Sequence, residues 1–392
     1  MNQFNREDIS INQLSNGQKL EIRKFSLKGE EQGPHVHIQA SVHGAEVQGN
    51  PVIYELMRFF TKVNLKGSLN LIPLVNPLGS NTKSGTYTQG RFNPVTGDNW
   101  NRNFINLIGY DSQITDIDLS TFWNEIRELP PREQAEKFKT LQKKGFKKIR
   151  DHLNNYGLSD NVEMNLTLQE FACEADIVLD LHTGPAATRY LYAGEYALKK
   201  MKDIPFPHNL IIPNEFGGAM DEATFFPWTE LTRIAHECGD SFINPFESYT
   251  VELGSEEVID FKMARLDCTR LLIFLAERGL FSRDEIAKEY PKELDYIQKE
   301  KRYACLLSHY ATYYAQKGGL IQYSKRPGDH IKMGEELYRI LDFSDLHHLN
   351  DLDHCIDRVK ALKDAIIINH TPSASVTKGT IAYQVMEEYY EL

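Results

Sequence analysis

Cysteine is scarce and scattered: Cys173, Cys238, Cys268, Cys305 and Cys355 are the five among 392 residues, and no two form a C-x-x-C pair. That argues against a disulfide framework. Several of the five sit in apolar helical patterns, as reduced core thiols of a cytoplasmic protein do. Long apolar runs are missing too, none approaching the roughly 20 residues that span a bilayer. Met1 to Ser10 mixes polar and charged residues and has no apolar segment, so no secretory signal is expected. Positive charge is in deficit, with 44 Lys and Arg against 55 Asp and Glu, a formal net charge of −11. A surface of that sign does not favour nucleic-acid phosphate or an anionic membrane. An anionic small substrate stays open, because a few buried arginines can make one pocket positive. Internal repeats and low-complexity segments are also absent.

What remains is an ordinary globular composition, 41% hydrophobic and 25% charged. The length suits one large domain with a smaller one. From His35 the chain alternates, with Val36, Ile38, Ala40 and Val42 on one side, which predicts a strand. After Gly49 the spacing of Ile53, Leu56, Met57 and Phe60 predicts a helix, with Pro51 tolerated in its first turn. Leu69 to Val75 reads as a second strand, ended by Asn76-Pro77. Ala175 to Leu181 reads as a third, apolar enough to be covered on both faces. Leu231, Ile234, Ala235 and Cys238 mark a helix, and Thr250 to Leu253 another central strand. Phe261 to Leu275 carries a long helical stripe that Gly279 would end.

Strands alternating with helices predict an α/β fold with a mixed central sheet flanked by helices, over residues 1–285. Residues from about 110 to 165 read as a charged helical insertion on its surface. Phe281 to Gln298 reads as a connector. Beyond it, short strands between tight turns (Gly318-Gly319, Pro327-Gly328-Asp329, Gly334) predict a small all-β domain over 300–392.

Four residues stand out chemically. His43 and Glu46, three apart, fall where the first strand gives way to a helix, and ligands in such folds gather at the carboxyl ends of strands. Imidazole and carboxylate both suit a catalytic zinc, which takes three protein ligands and keeps one position open. A single HxxE among 13 histidines is also expected by chance. His182, in Asp180-Leu181-His182-Thr183-Gly184, emerges from the most apolar strand into a glycine turn; the alternative is a core histidine satisfied by backbone. Asp180 beside it can serve as an orienting acceptor. Glu252 is a carboxylate inside an apolar strand, costly unless it is paired or used as a base beside a metal. Arg91 and the Asn99-Trp100-Asn101-Arg102 stretch offer an arginine fork and amides able to grip a carboxylate, or form a solvated loop.

In their order along the chain, His43-x-x-Glu46, then Asn101-Arg102, then a strand-borne His182, then Glu252 in a T-x-E-L-G context, these residues resemble the zinc carboxypeptidase superfamily. More closely, they resemble its succinylglutamate desuccinylase/aspartoacylase branch, over roughly residues 35–280. The β-rich tail is similar to that branch too, and its Gly328-Asp329-x-Ile331-x-x-Gly334-Glu335 stretch looks like a barrel-sandwich fold. The branch's usual Asp-Leu-Asn-Arg string is here Asn99-Trp100-Asn101-Arg102.

The resemblance implies one zinc ion per chain held by His43, Glu46 and His182, with Glu252 as general base and then general acid. It implies Arg91 polarising the scissile carbonyl, and Asn101 with Arg102 holding a substrate carboxylate. The expected activity is hydrolysis of the amide bond of a small N-acyl amino acid. The alternatives are a metallocarboxypeptidase acting on short peptides, an ester or polysaccharide-linked deacylase, and a non-catalytic binding protein on the same fold. The last would lack a ligand or the base, and none is missing. A homo-oligomer is compatible with each.

Overall fold

Alternation at His35 and the apolar runs near 177 and 250 become neighbours in one sheet. The computed structural model describes residues 2–344, 346 and 349–392; Met1, Asp345, His347 and His348 lie outside it. Ten strands make up the main sheet: β1 (Asn5–Gln13), β2 (Lys19–Lys28), β3 (His35–Ala40), β4 (Ser68–Ile72), β5 (Ile177–Gly184), β6 (Arg189–Gly194), β7 (His208–Ile212), β8 (Glu247–Ser255), β9 (Tyr303–Leu306) and β10 (Tyr390–Glu391). Their spatial order is β1-β2-β4-β3-β5-β8-β6-β7-β9-β10. The centre, β4-β3-β5-β8, is parallel. β6 runs antiparallel to β8, and β7 and β9 then run parallel to β6. The sheet is therefore mixed, as expected.

Side-chain alternation divides this sheet into two chemically different faces. On one face Val36, Ile38, Leu179, Leu181, Val251 and Leu253 meet α1 (Gly49–Phe60) and the long helix Phe261–Glu277 through Leu56, Phe59, Leu272 and Leu275. Burying each such aliphatic side chain contributes about 1.5–3 kcal/mol. The long helix ends as its glycine predicts. Gly279 takes φ +78°, its N–H bonds the Ala276 carbonyl, and the Leu280 N–H reaches back to Leu275, a Schellman closure.

The other face receives α2 (Leu119–Ile126), α3 (Pro131–Asn154), α4 (Asp160–Ala172) and α5 (Met220–Glu237). Trp123, Phe138, Leu168, Trp228 and Leu231 are buried in that core. The charged 110–165 stretch thus supplies much of one covering layer, with its lysines turned outward except Lys139, which is buried against Asp176. On this same face the central strands turn in His37 and Gln39, Asp180 and His182, Thr250 and Glu252, all buried.

The segment expected as a connector folds as two short helices, Asp284–Glu289 and Pro291–Lys299, and buries Ile286, Tyr290 and Ile297 against the first core. The tail is a two-sheet β sandwich. One sheet runs Tyr310–Tyr314, Ile381–Glu387, Ala365–His370, His330–Ile331, and the other Ile356–Lys360, Glu336–Leu341, Gly319–Tyr323, Ser375–Val376. Ile321, Ile331, Leu337, Ile340, Ile367 and Val385 fill the space between them. The tail is tied to the rest of the chain at two places: β9 pairs with β7, with β10 added on its far side, and Ala186–Ala187 pairs with Asn369 and His370.

Candidate metal centre and active site

The loop that carries His43 and Glu46 is clamped by backbone. A Cβ on Gly44 would stand 2.2 Å from the Gly79 carbonyl carbon and the Ser80 nitrogen, and one on Gly90 2.2 Å from the Ala45 nitrogen. Only glycine permits both approaches. Asn76, which ends the second predicted strand segment, donates from Nδ2 to the Val42 carbonyl and accepts the Gly79 N–H at Oδ1, both at 2.8 Å. The HxxE loop is thereby set before its side chains make any contact.

His182 leaves β5 beside it. On the next strand Glu252 is the register partner of His182, and Thr250 that of Asp180. Strand pairing therefore puts Glu252 next to His182, although 70 residues separate them in sequence.

His43, Glu46 and His182 are at most 4% exposed, and one donor atom from each lies within 4.8 Å of the others. Among the described residues they are the one such cluster of three. His43 Nδ1 lies 2.8 Å from Glu46 Oε1, and His182 Nδ1 lies 2.8 Å from Glu46 Oε2. Each ring's far nitrogen faces an oxygen: His43 Nε2 at 2.8 Å from Asn99 Oδ1, and His182 Nε2 at 2.7 Å from Asp180 Oδ2. Asn99 Oδ1 also accepts the Asn101 N–H, which assigns it as the acceptor. Both rings then carry their proton on Nε2 and turn a lone pair from Nδ1 toward the carboxylate.

Two lone pairs facing a carboxylate repel unless protons or a cation intervene. Burial by itself lowers the His182 pKa, but Asp180 and Glu46 outweigh it and hold the value well above normal. Burial by itself raises Glu46, but the His43 and His182 rings outweigh it and hold its carboxyl below the usual range. The donor set fits a divalent cation, which would replace those protons, and each imidazole already has the oxygen partner that metal-binding histidines take.

Glu252 is 9% exposed, and its Oε2 has no hydrogen-bond partner. Burial first, then the Glu46 charge, push its carboxyl up to about 8, against the pull of His182 and Arg91. A cation held by the trio would lower it again.

All seven side chains singled out from the sequence line one cavity of about 260 Å³. Arg91 is half exposed and reaches Glu46 Oε1 at 3.4 Å. Asn101 is buried, and its Oδ1 accepts the Met220 N–H at 3.0 Å at the start of α5. Arg102 is exposed at the rim and donates to the Asn101 carbonyl.

Other lining residues escaped the sequence reading: Tyr192, Ile212, Asp221, Glu222, Thr250 and Leu307. Leu307 belongs to the tail, which thus forms part of the wall. Behind the trio lies a buried relay. Asp180 Oδ1 accepts Gln39 Nε2 at 3.1 Å, and Gln39 Oε1 lies 3.0 Å from His37 Nε2. The signal for Gln39 was available, as a polar residue on the far side of an alternating strand. Asp221 carried none, since an acidic residue in a helix's first turn is common for dipole reasons alone.

The family model for the succinylglutamate desuccinylase/aspartoacylase catalytic domain matches residues 32–275. A crystal structure from Shewanella frigidimarina NCIMB 400, named as a succinylglutamate desuccinylase/aspartoacylase, is 36% identical with a TM-score of 0.88, over 100% of this chain and 99% of that one. A succinylglutamate desuccinylase/aspartoacylase family protein from Shewanella amazonensis SB2B is 36% identical with a TM-score of 0.87, over 99% and 100%. The product-bound ectoine utilization protein EutE (DoeB) from Ruegeria pomeroyi shares the fold, with a TM-score of 0.60 at 13% identity over 97% and 93%. None of the curated proteins matches the sequence.

Proposed function

The chain belongs to the succinylglutamate desuccinylase/aspartoacylase family of hydrolases, and from there we propose that it is a zinc-dependent amidohydrolase acting on small N-acyl amino acids. The observation that carries this reading is the convergence of His43, Glu46 and His182 beside Glu252 in a cavity that arginines also line. Bound zinc supplies a Lewis acid for the water and the amide carbonyl. Glu252 takes the proton of the attacking water and returns it to the leaving amine nitrogen. Arg91 donates to the developing oxyanion, an interaction whose loss typically costs on the order of 100-fold in rate. Asn101, with its oxygen committed to Met220, offers its amide N–H groups, and Arg102 its guanidinium, to the substrate carboxylate. A cavity of about 260 Å³, partly walled by the tail, favours a small acid over a peptide.

Among the described residues no helix is long and apolar enough to cross a membrane. All five cysteines are unpaired, which supports a cytoplasmic location.

The test combines metal content with turnover on N-acyl amino acids and on short peptides. Glu252→Gln should keep its zinc and lose at least about 100-fold in turnover, and His182→Ala should lose the metal. Normal turnover in the first variant, or full zinc occupancy in the second, overturns these assignments. Faster cleavage of C-terminal peptide bonds than of N-acyl amino acids would make the protein a carboxypeptidase instead.

A further inference from the structure

The two histidines of the trio are backed differently. His182 Nε2 faces Asp180, a fully buried carboxylate, at 2.7 Å, whereas His43 Nε2 faces the amide oxygen of Asn99 at 2.8 Å. An oxygen behind a metal-binding imidazole orients the ring and raises its basicity, and an anionic oxygen does so more strongly than a neutral one. Asn99 uses that same Oδ1 for the Asn101 N–H at 2.9 Å. Its Nδ2 donates to no protein group among the described residues. The side chain therefore serves only as an acceptor, which a carboxylate of the same shape would do better. Something disfavours the charge.

The surroundings supply the reason. Glu46, Asp180, Asp221 and Glu252 are buried carboxylates on or behind the cavity wall, and Arg91 and Arg102 are the guanidinium groups that line it. Asn99 also lies one hydrogen bond from each residue that grips the substrate carboxylate in the proposed mechanism. Its side chain accepts the Asn101 N–H, and its carbonyl accepts the Arg102 N–H at 3.1 Å. A carboxylate at position 99 would strengthen the hold of His43 on a cation, but it would add negative charge beside an incoming anion. Like charges brought close outside bulk water repel strongly. A neutral oxygen keeps both His43 and Asn101 in place without that repulsion.

We propose that Asn99 is a positioning residue shared by the metal centre and the substrate-binding loop, and that its neutrality gives up zinc affinity in favour of anion binding. The first half stands on the geometry alone. The second rests on the amidohydrolase reading and its substrate carboxylate.

The experiment compares the native protein with Asn99→Asp, which has the same shape, and with Asn99→Ala. Competition against a fluorescent zinc chelator should show Asn99→Ala binding zinc about 10-fold or more weakly and Asn99→Asp about 10-fold more tightly. A side chain that only braced its loop would give losses in both. Unchanged affinity in Asn99→Ala, or affinity no tighter in Asn99→Asp, overturns the positioning role.

Calorimetry on zinc-loaded Glu252→Gln protein, with and without Asn99→Asp, reads the second half without turnover. The ligands are N-acetylglycine and its neutral counterpart N-acetylglycinamide. Adding Asn99→Asp should weaken N-acetylglycine binding about 10-fold and leave binding of the amide unchanged. Equal weakening of the two, or none, overturns the exchange of zinc affinity for anion binding while leaving the hydrolase reading intact. If N-acetylglycine binds to neither protein, the hydrolase reading and the exchange fall together, and opposite zinc shifts still establish Asn99 as the shared positioning residue.

Discussion

Asp180→Asn tests whether the oxygen behind a metal-binding ring decides what the ring can bind. In the native protein Asp180 Oδ2 lies 2.7 Å from His182 Nε2 while Oδ1 accepts Gln39 Nε2 at 3.1 Å, and the carboxylate is fully buried. An amide of the same shape has one oxygen and one nitrogen. If its oxygen stays with Gln39, its NH2 group faces His182 Nε2, which must then accept. The ring proton moves to Nδ1 and occupies the lone pair that faces Glu46. Lost orienting partners of this kind weaken metal binding by about 10- to 100-fold, or about 1.4–2.7 kcal/mol.

At a fixed excess of zinc the same amount is lost from metal-linked stability. With about 2.1 cal/mol/K of unfolding entropy for each of 392 residues, Tm of the zinc form should fall by about 2–3 °C. Competition against a fluorescent zinc chelator gives the affinity, and melting with and without zinc gives the second number. Gln39→Leu, one bond further out, should act in the same direction and less. An Asp180→Asn protein with native zinc affinity and a native zinc-induced rise in Tm would refute the orienting argument.

Two predictions concern the scaffold. Asp267 is fully buried and bonds Arg189 at 3.0 Å with Arg270 at 3.5 Å. Asp267→Ala would strand Arg189, while Arg270 keeps Glu300, and should cost about 3–5 kcal/mol in urea unfolding; an unchanged midpoint would show the pair to be dispensable. His208 is held neutral by burial, its pKa lowered from 6.5 to about 4, with Nδ1 on the Arg189 carbonyl. Because the unfolded chain takes the proton more readily, this contribution is present above pH 6.5 and fades as pH falls toward 4. Between pH 7 and pH 5 it should amount to about 2 kcal/mol. His208→Gln should therefore lose less stability over that interval than the native protein, and an equal loss would refute the assignment.

Much of the site was legible because it is expensive. A histidine at the end of the most apolar strand and a glutamate inside another are side chains that a core does not tolerate without use, and that cost is visible one residue at a time. Period-two alternation likewise marked the strands, and glycine after Leu275 marked a helix end. The charged stretch from 110 to 165 misled in one respect. Lysines on its outer side hid an inner side of Trp123, Phe138 and Met164, buried against the sheet. The segment from 281 to 298 hid Ile286 and Ile297 in the same way.

Local pattern established which residues are polar within apolar strands, where those strands end, and hence that a candidate site draws on the chain near 43, 182 and 252. Strand order decided that these places are one place. A strand's own residues state which of its faces is buried but not which strand lies beside it, since pairing is made by backbone groups that every residue shares. Only with β5 between β3 and β8 do Gln39, Asp180 and Thr250 align, Glu252 come to stand beside His182, and Asp221, an unremarked acid at a helix start, become part of the wall that faces them.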